Sequence, residues 1–268
     1  MDLTQKFTLG EKLTEEQKSF FNRYGFIHFE SFLSPEQTQG LLKAVQDVEK
    51  QWIHEGLTKV NGTPIKFGKD ENGNQIVQRF AFTSLYSSHI HELLRDKRIN
   101  ALKQLVGGGE ARIAENEKDG VVVNHFVNTG ESNYSKLGWH TDGLRDLFNG
   151  YKLEPMLNVG IYLDDSTLEK GGLRILPGTH NQSLYHLLFK KRYFIDNNPD
   201  KEEIAVVAKA GDLTVHSGRI WHRVALSALQ GLPSKRRVMY FPIIKGKYRP
   251  KSEKTRTPFY HKFQKFVK

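Results

Sequence analysis

The chain has 268 residues, 38% of them hydrophobic and 11% aromatic, with no cysteine and a formal net charge of +10. This composition excludes a disordered chain and a disulfide scaffold, the missing cysteine excludes thiolate metal ligands, and no run of about 18 apolar residues is available to span a membrane. Residues 245–268 hold nine Lys or Arg and one acid, Glu253, so this tail supplies +8 of the +10 and the remainder is nearly balanced, unlike a uniformly basic nucleic-acid binder.

Met1-Asp2-Leu3-Thr4-Gln5-Lys6 lacks the basic-then-apolar layout of a signal peptide. Together with the lack of cysteine, this leads to the expectation of a reducing, cytoplasmic location. Thr14-Glu15-Glu16-Gln17 is a capping box that predicts a helix to about Tyr24, burying Phe20 and Phe21 and ended by Gly25. Phe26–Phe29 then reads as a strand. Ser34-Pro35-Glu36-Gln37 repeats the start signal, with proline at the first helical position. Leu41, Val45, Val48 and Trp52 follow at helical spacing. Residues 56–75, rich in Gly, Asn, Lys and Asp, read as a loop or hairpin. Short helices are predicted near 88–95 and 96–106.

From about residue 111 the texture changes to short β-type runs. They cover 111–115, 121–127, a strand through His140, 156–163, 173–176, 204–208, 213–216, 220–226 and 236–244. Turn residues separate them, which predicts a jelly roll or small barrel. The expected organisation is one domain over 1–268, mainly β with α+β character. A helical part (about 1–110) packs outside a core (about 111–244), and the basic tail (245–268) follows. Tyr248, Phe259, Tyr260, Phe263 and Phe266 interleave the tail's cations. They are expected to pack on the domain with the lysines in water; contact with an anionic partner is the alternative.

Gly138-Trp139-His140-Thr141-Asp142-Gly143 is the stretch with the clearest chemical content. Side chains two apart on a strand leave the same face, so an imidazole and a carboxylate can point at one spot. A second histidine from a distant strand would complete the two-histidine, one-carboxylate facial triad of non-haem Fe(II) oxygenases. The residues leave two candidates for it, His216 and His222.

Three further stretches accompany this motif: Asn158–Asp165, Glu169–His180 with its Gly-Gly-Leu and Pro-Gly-Thr-His segments, and Gly211–His222 followed by Arg236-Arg237. With Leu13–Gln17, Gly25-Phe26-Ile27 and Phe32–Pro35, they resemble the phytanoyl-CoA dioxygenase-like family of Fe(II)/2-oxoglutarate oxygenases. The resemblance covers most of the chain. It implies a double-stranded β-helix core, Fe(II), 2-oxoglutarate and O2 as cofactor and co-substrates, and release of succinate and CO2 as a small organic molecule is hydroxylated. By position, His140, Asp142 and His222 match the metal ligands, and Arg236 matches the arginine that grips the 2-oxoglutarate C5 carboxylate. A one-residue slip would put Arg237 there instead.

Asn124 and Asn128 are placed near the co-substrate by the same comparison. Trp139, Arg145, Arg219 and Trp221 flank the ligands as candidates for the substrate pocket, with the core as the equal alternative for Trp139 and Trp221. His180 is expected to be a structural hydrogen bonder, and Asp164-Asp165 a strand-end turn. Two departures from the family's pattern bear on the co-substrate pocket: Val224 stands where many members have a small or hydroxyl residue, and the 222–236 connection is longer than usual. The carboxylate at Asp142 favours hydroxylation over halogenation, because halogenating relatives have a small residue there. The alternatives are a non-catalytic jelly-roll binding module and a nucleic-acid-directed oxygenase. No membrane span is expected, and the basic tail is the one feature favouring nucleic acid.

Overall fold

The protein is described by a computed structural model over residues 2–108 and 110–257. Helices α1 (Glu15–Tyr24) and α2 (Pro35–His54) both start with complete capping boxes, on Thr14/Gln17 and Ser34/Gln37. Gly25 ends α1 with φ +72, and a Cβ there would lie 2.3 Å from the His180 ring. Glycine is therefore required twice over, by the left-handed turn and by the close approach. His180 Nε2 lies 3.1 Å from the Asn22 carbonyl, which makes it a clasp between the Pro-Gly-Thr-His turn and the end of α1. After β1 (Phe26–Phe29) and α2, the stretch expected as loop or hairpin folds into the small ladder β2 (Lys59–Val60)/β3 (Thr63–Pro64) and the hairpin β4 (Lys66–Lys69)/β5 (Gln75–Arg79). Helices α3 (Ser88–Leu93) and α4 (Lys97–Ala101) follow, with a 3-10 turn at Leu102–Val106.

The β-region comprises β6 (Arg112–Ile113), β7 (Val122–Asn128), β8 (Leu137–His140), β9 (Met156–Tyr162), β10 (Gly172–Ile175), β11 (Ile204–Ala205), β12 (Leu213–Ser217), β13 (His222–Ala225) and β14 (Gly231–Ile244). Two short helices were not foreseen, α5 (Leu144–Phe148) and α6 (Leu184–Phe189). A large antiparallel sheet runs β1-β12-β9-β14-β7-β5-β4, with β6 on β14, and a smaller one runs β11-β10-β13-β8. The core is a double-stranded β-helix.

Alternation assigns the two faces of the large sheet. On β14, Met239, Phe241 and Ile243 point outward and are fully buried under the N-terminal helices, while Tyr240 and Pro242 point inward and line a cavity. The same alternation puts Leu157, Val159 and Ile161 of β9 outward and Asn158 inward. Trp52 of α2 packs on Phe80 at 5.4 Å. Burying such side chains stabilises the fold by about 1.5–3 kcal/mol each. One continuous apolar cluster runs from Phe7 to Ile243.

The described part of the tail returns to the domain. Arg249 pairs with Glu154 at 3.0 Å and Lys251 reaches Asp119 at 3.4 Å. These two cations are paired on the protein's own acids, while Lys247 and Lys254 are exposed. Tyr248 is half exposed, and its ring receives Arg112 at 5.4 Å. Phe259, Tyr260, Phe263 and Phe266 lie outside the described residues. No helix among the described residues is long and apolar enough to cross a membrane.

Candidate active site

The cavity, of about 110 Å³, lies between the sheets, lined by β8 and β13 on one side and by β7, β9, β12 and β14 on the other. His140 ends β8 and is the cross-strand partner of His222, which starts β13. Their rings are 4.1 Å apart. Asp142 lies just past the end of β8, in the turn into α5, so its carboxylate is placed by side-chain contacts as well as by strand alternation. Asn158 Nδ2 donates to Asp142 Oδ2 at 3.0 Å, and Arg145 stands 3.8 Å from Oδ1. Ligand atoms of His140, Asp142 and His222 all lie within 4.8 Å of one another, and all three residues are buried.

The strand that presents His140 is fixed by close backbone packing. Trp139 N–H donates to the Asp196 carbonyl and Phe194 N–H to the Trp139 carbonyl, both at 2.8 Å. A Cβ on Gly138 would lie 2.4 Å from the Phe194 carbonyl oxygen, so only glycine lets this edge close. The His140 ring stacks on Phe194 at 4.7 Å.

Both imidazoles are preset as ligands. Each Nδ1 donates to a backbone carbonyl two residues earlier, His140 to Gly138 at 2.8 Å and His222 to Ile220 at 3.1 Å. A carbonyl only accepts, so each Nε2 is left as the lone-pair donor. Burial pushes the pKa of His140 down to about 4, and burial with its histidine neighbours pushes His222 well down. Burial alone would raise the Asp142 carboxyl, but His216, His222 and Arg145 hold it well below the usual range. Two neutral imidazoles and one carboxylate are the donor set Fe(II) takes, so the residues fit that metal.

A pH prediction follows from the neutral imidazoles. Two histidines at the ordinary pKa of about 6.5 would lose roughly 16-fold in metal affinity between pH 8.0 and 6.0 through proton competition. Here both protonate well below that window, so Mn(II) titrations at the two pH values should agree within about twofold. A tenfold difference would show that these imidazoles titrate in the ordinary range. A second prediction concerns Asn158, which orients Asp142 from the opposite sheet. Asn158→Ala should weaken metal affinity by about 10–100-fold, the usual cost of losing a ligand's own hydrogen-bond partner. Unchanged affinity would mean that Arg145 and His216 suffice.

His216 projects from β12 of the large sheet, with Nε2 3.4 Å from Asp142 Oδ2 and its ring 4.6 Å from His222. It lines the cavity but is not among the three clustered donors. Arg236 and Arg237 point to opposite faces of β14. Arg237 forms a bidentate pair with Asp164 on the outer side, at 2.7 and 2.8 Å. Asp165 accepts from Ala210 N–H, so this acid pair is structural, as expected for a turn.

Arg236 is 2% exposed, yet among the described residues no carboxylate pairs with it. Its Nη2 donates to the Ala225 carbonyl at 3.1 Å, and its guanidinium lies over Phe126 at 4.3 Å. Burial pulls its pKa down to about 10, with Tyr240, Tyr162 and Tyr134 around it. A buried cation without an anion is costly, so this one fits an incoming carboxylate.

The remaining candidates separate. Asn124 lines the cavity and its buried Oδ1 has no hydrogen-bond partner among the described residues. Arg145 lines it too. Asn128 shares a face with Asn124 but lies past the cavity, and its Nδ2 donates to the Ser227 and Leu229 carbonyls, bracing the β13–β14 connection. Trp139 and Trp221 are fully buried core residues, in one cluster with Leu144, Leu176 and Leu187. Each is the chain neighbour of a ligand candidate, so alternation turns it to the opposite side. Arg219 Nη2 donates to the Gln182 carbonyl, also outside the cavity wall. Asn128, Trp139, Trp221 and Arg219 are thus placed away from the cavity.

The sequence reading missed Asn158 as the partner of Asp142, and it missed the cationic wall. Lys66, Arg79, Lys118, Asp119 and Tyr134 all line the cavity. Burial, with Arg79 nearby, pushes the Lys66 pKa down to about 8. No local pattern distinguishes Lys66 or Arg79 from other hairpin cations, because their meaning depends on where the hairpin docks.

A double-stranded β-helix with a buried His-Asp-His set in its mouth is the architecture of the Fe(II)/2-oxoglutarate-dependent oxygenases, enzymes that use Fe(II), 2-oxoglutarate and O2. The chain belongs to the phytanoyl-CoA dioxygenase (PhyH) family, whose model matches residues 21–224. It is similar to a probable alpha-ketoglutarate-dependent hypophosphite dioxygenase of Stutzerimonas stutzeri, at 24% identity over 219 residues, 78% of this chain and 71% of the relative. In fold it is similar to AviO1 of Streptomyces viridochromogenes Tue57 (TM-score 0.62, 18% identity, 91% of this chain and 99% of that one). It is likewise similar to HygX of Streptomyces hygroscopicus, solved with nickel and 2-oxoglutarate bound (TM-score 0.62, 15% identity, 89% of each chain).

Proposed function

We propose that His140, Asp142 and His222 hold Fe(II), that Arg236 takes the C5 carboxylate of 2-oxoglutarate, and that the chain hydroxylates a small molecule as one oxygenase domain. The observation carrying this reading is the convergence of the three buried donors within 4.8 Å in the cavity between the two sheets. The bound iron supplies the coupling of 2-oxoglutarate and O2 to succinate, CO2 and a hydroxylated substrate, one oxygen atom entering succinate and the other the product.

The chain's own residues do the positioning. The Gly138 and Ile220 carbonyls fix the tautomers of His140 and His222, and Asn158 orients Asp142. Arg236 offers a guanidinium fork that an ammonium lacks. Tyr162 and Tyr240 stand near it, both with hydroxyls held protonated by burial. A carboxylate ligand at Asp142 leaves chloride no position at the metal, which supports hydroxylation over halogenation. The small cavity supports a small substrate, since pockets for drug-sized ligands measure about 300–1,000 Å³. The name of the Stutzerimonas relative, a hypophosphite dioxygenase, points the same way.

The test is anaerobic loading with Fe(II) and 2-oxoglutarate, then admission of O2. Succinate and CO2 should form in equal amounts. Protein that binds Fe(II) and 2-oxoglutarate yet forms no succinate with any substrate would overturn the reading.

A further inference from the structure

Among the described residues, the part of the cavity wall formed by Lys66 and Arg79 holds a cation that no carboxylate pairs. Asp119 is 2.8 Å from Arg79, 2.9 Å from Arg145 and 3.4 Å from Lys251. Lys118, the next residue, is already matched by Asp146 at 2.7 Å. Lys66 is the cross-strand partner of Arg79, and among the described residues no carboxylate lies within ion-pair distance of it. Its ammonium rests instead on the Tyr134 ring at 4.5 Å. Among the described residues that line the cavity, Lys66 is thus a cation with no carboxylate of its own, and Arg79 Nη1 is buried without a hydrogen-bond partner, before any metal dication is added.

This excess is not needed for 2-oxoglutarate. Tyr134 stacks on Phe126 at 4.8 Å, and Arg236 lies over Phe126. Lys66 and Arg236 therefore contact different rings of one stack, which gives the cavity a second cationic post besides the co-substrate arginine. The same cavity is lined by the apolar side chains of Leu137, Leu173, Val224 and Phe194. An anionic group would find paired cations in a poorly solvated site, where such pairing is strongest, and a short carbon skeleton would find the apolar wall.

Resting on the oxygenase reading above, we propose that the substrate is a small organic anion whose carboxylate or phosphonate group binds at Lys66 and Arg79, which sets its reacting C–H bond against the metal. The Lys66 ammonium and the free side of the Arg79 fork hold the anion, while Asp119 keeps Arg79 and Arg145 from repelling one another. A neutral or cationic molecule of the same size gains nothing from this wall and pays to desolvate it.

The experiment uses the full chain loaded with Mn(II) and saturating 2-oxoglutarate, so that binding is read without turnover. Calorimetric titration compares propylphosphonate and butyrate with 1-butanol and butylamine. At least one anion should bind ten times or more tighter than either of the other two. Lys66→Met should weaken that anion by tenfold or more, Lys66→Arg should recover part of the loss, and 2-oxoglutarate affinity should stay within about twofold in both variants. Equal or tighter binding of 1-butanol or butylamine, or unchanged anion binding in folded Lys66→Met, would overturn the inference. The wild-type probe series decides the matter even where a variant does not fold. The oxygenase reading fails separately, as absent succinate from the Fe(II)-loaded protein with every probe.

Discussion

His222→Ala should remove iron and reduce 2-oxoglutarate turnover to background, and His140→Ala and Asp142→Ala should do the same. Each supplies one of the three donors clustered among the described residues, and two remaining ligands do not reproduce a facial set. The fold should survive. The ligand atoms face a cavity, whereas the core that holds the sheets together lies on the outer face of the large sheet, at Val159, Ile161, Met239 and Phe241. Melting temperatures of the metal-free variants should therefore stay within about 5 °C of the parent, equivalent to roughly 1–2 kcal/mol for a chain of this size. His216→Ala is the matched control. It removes an equally buried imidazole, 3.4 Å from Asp142, that lies outside the cluster, so most of the iron should remain. Iron content by elemental analysis, with succinate release alongside, reads all four variants. Loss in His216→Ala with retention in His222→Ala would exchange their roles.

Arg236→Ala should weaken 2-oxoglutarate binding by a few hundredfold or more while leaving iron content unchanged. The C5 carboxylate must leave water to enter a site where Arg236 is 2% exposed. An ionised group there, deprived of its partner, costs on the order of 3–5 kcal/mol, and each 1.4 kcal/mol is a factor of ten in affinity. Arg236→Lys should recover only part of this, because an ammonium cannot make the two parallel hydrogen bonds of a guanidinium. It would also lose the flat contact with Phe126 that now holds the side chain. Arg237→Ala should do the reverse, since it breaks the bidentate pair with Asp164 on the outer face and lowers stability without touching 2-oxoglutarate. Equilibrium titration of 2-oxoglutarate into the three Mn(II)-loaded variants tests this directly. Lost affinity in Arg237→Ala with none lost in Arg236→Ala would show that the inward face of β14 is read one residue off.

Much of this protein is written locally. The capping boxes at Thr14 and Ser34 fix where α1 and α2 begin because two backbone donors are satisfied by side chains three residues apart. The alternation on β9 and β14 decides which residues enter the core, and the His-x-Asp spacing anticipates two ligands in one place. Those features depend on neighbours within a few residues, so the linear order carries them. The choice between His216 and His222 does not lie in the order. Both are buried near Asp142, and only the register that pairs His222 with His140 brings one of them into the cluster.

The same holds for the residues reassigned by the structure. Trp139 and Trp221 flank ligand candidates in sequence but turn to the opposite side of the sheet, and Asn128 sits two steps of alternation beyond Asn124 along β7, past the cavity. The cationic wall is further still from any local signal. Lys66, Arg79, Asp119 and Arg145 of the wall, and Lys251 behind Asp119, come from separated segments, each an ordinary charged residue in its own surroundings. Their chemistry arises from mutual distance inside a low-dielectric cavity, and only the docking of the β4–β5 hairpin and the returning tail against the β-helix sets that distance.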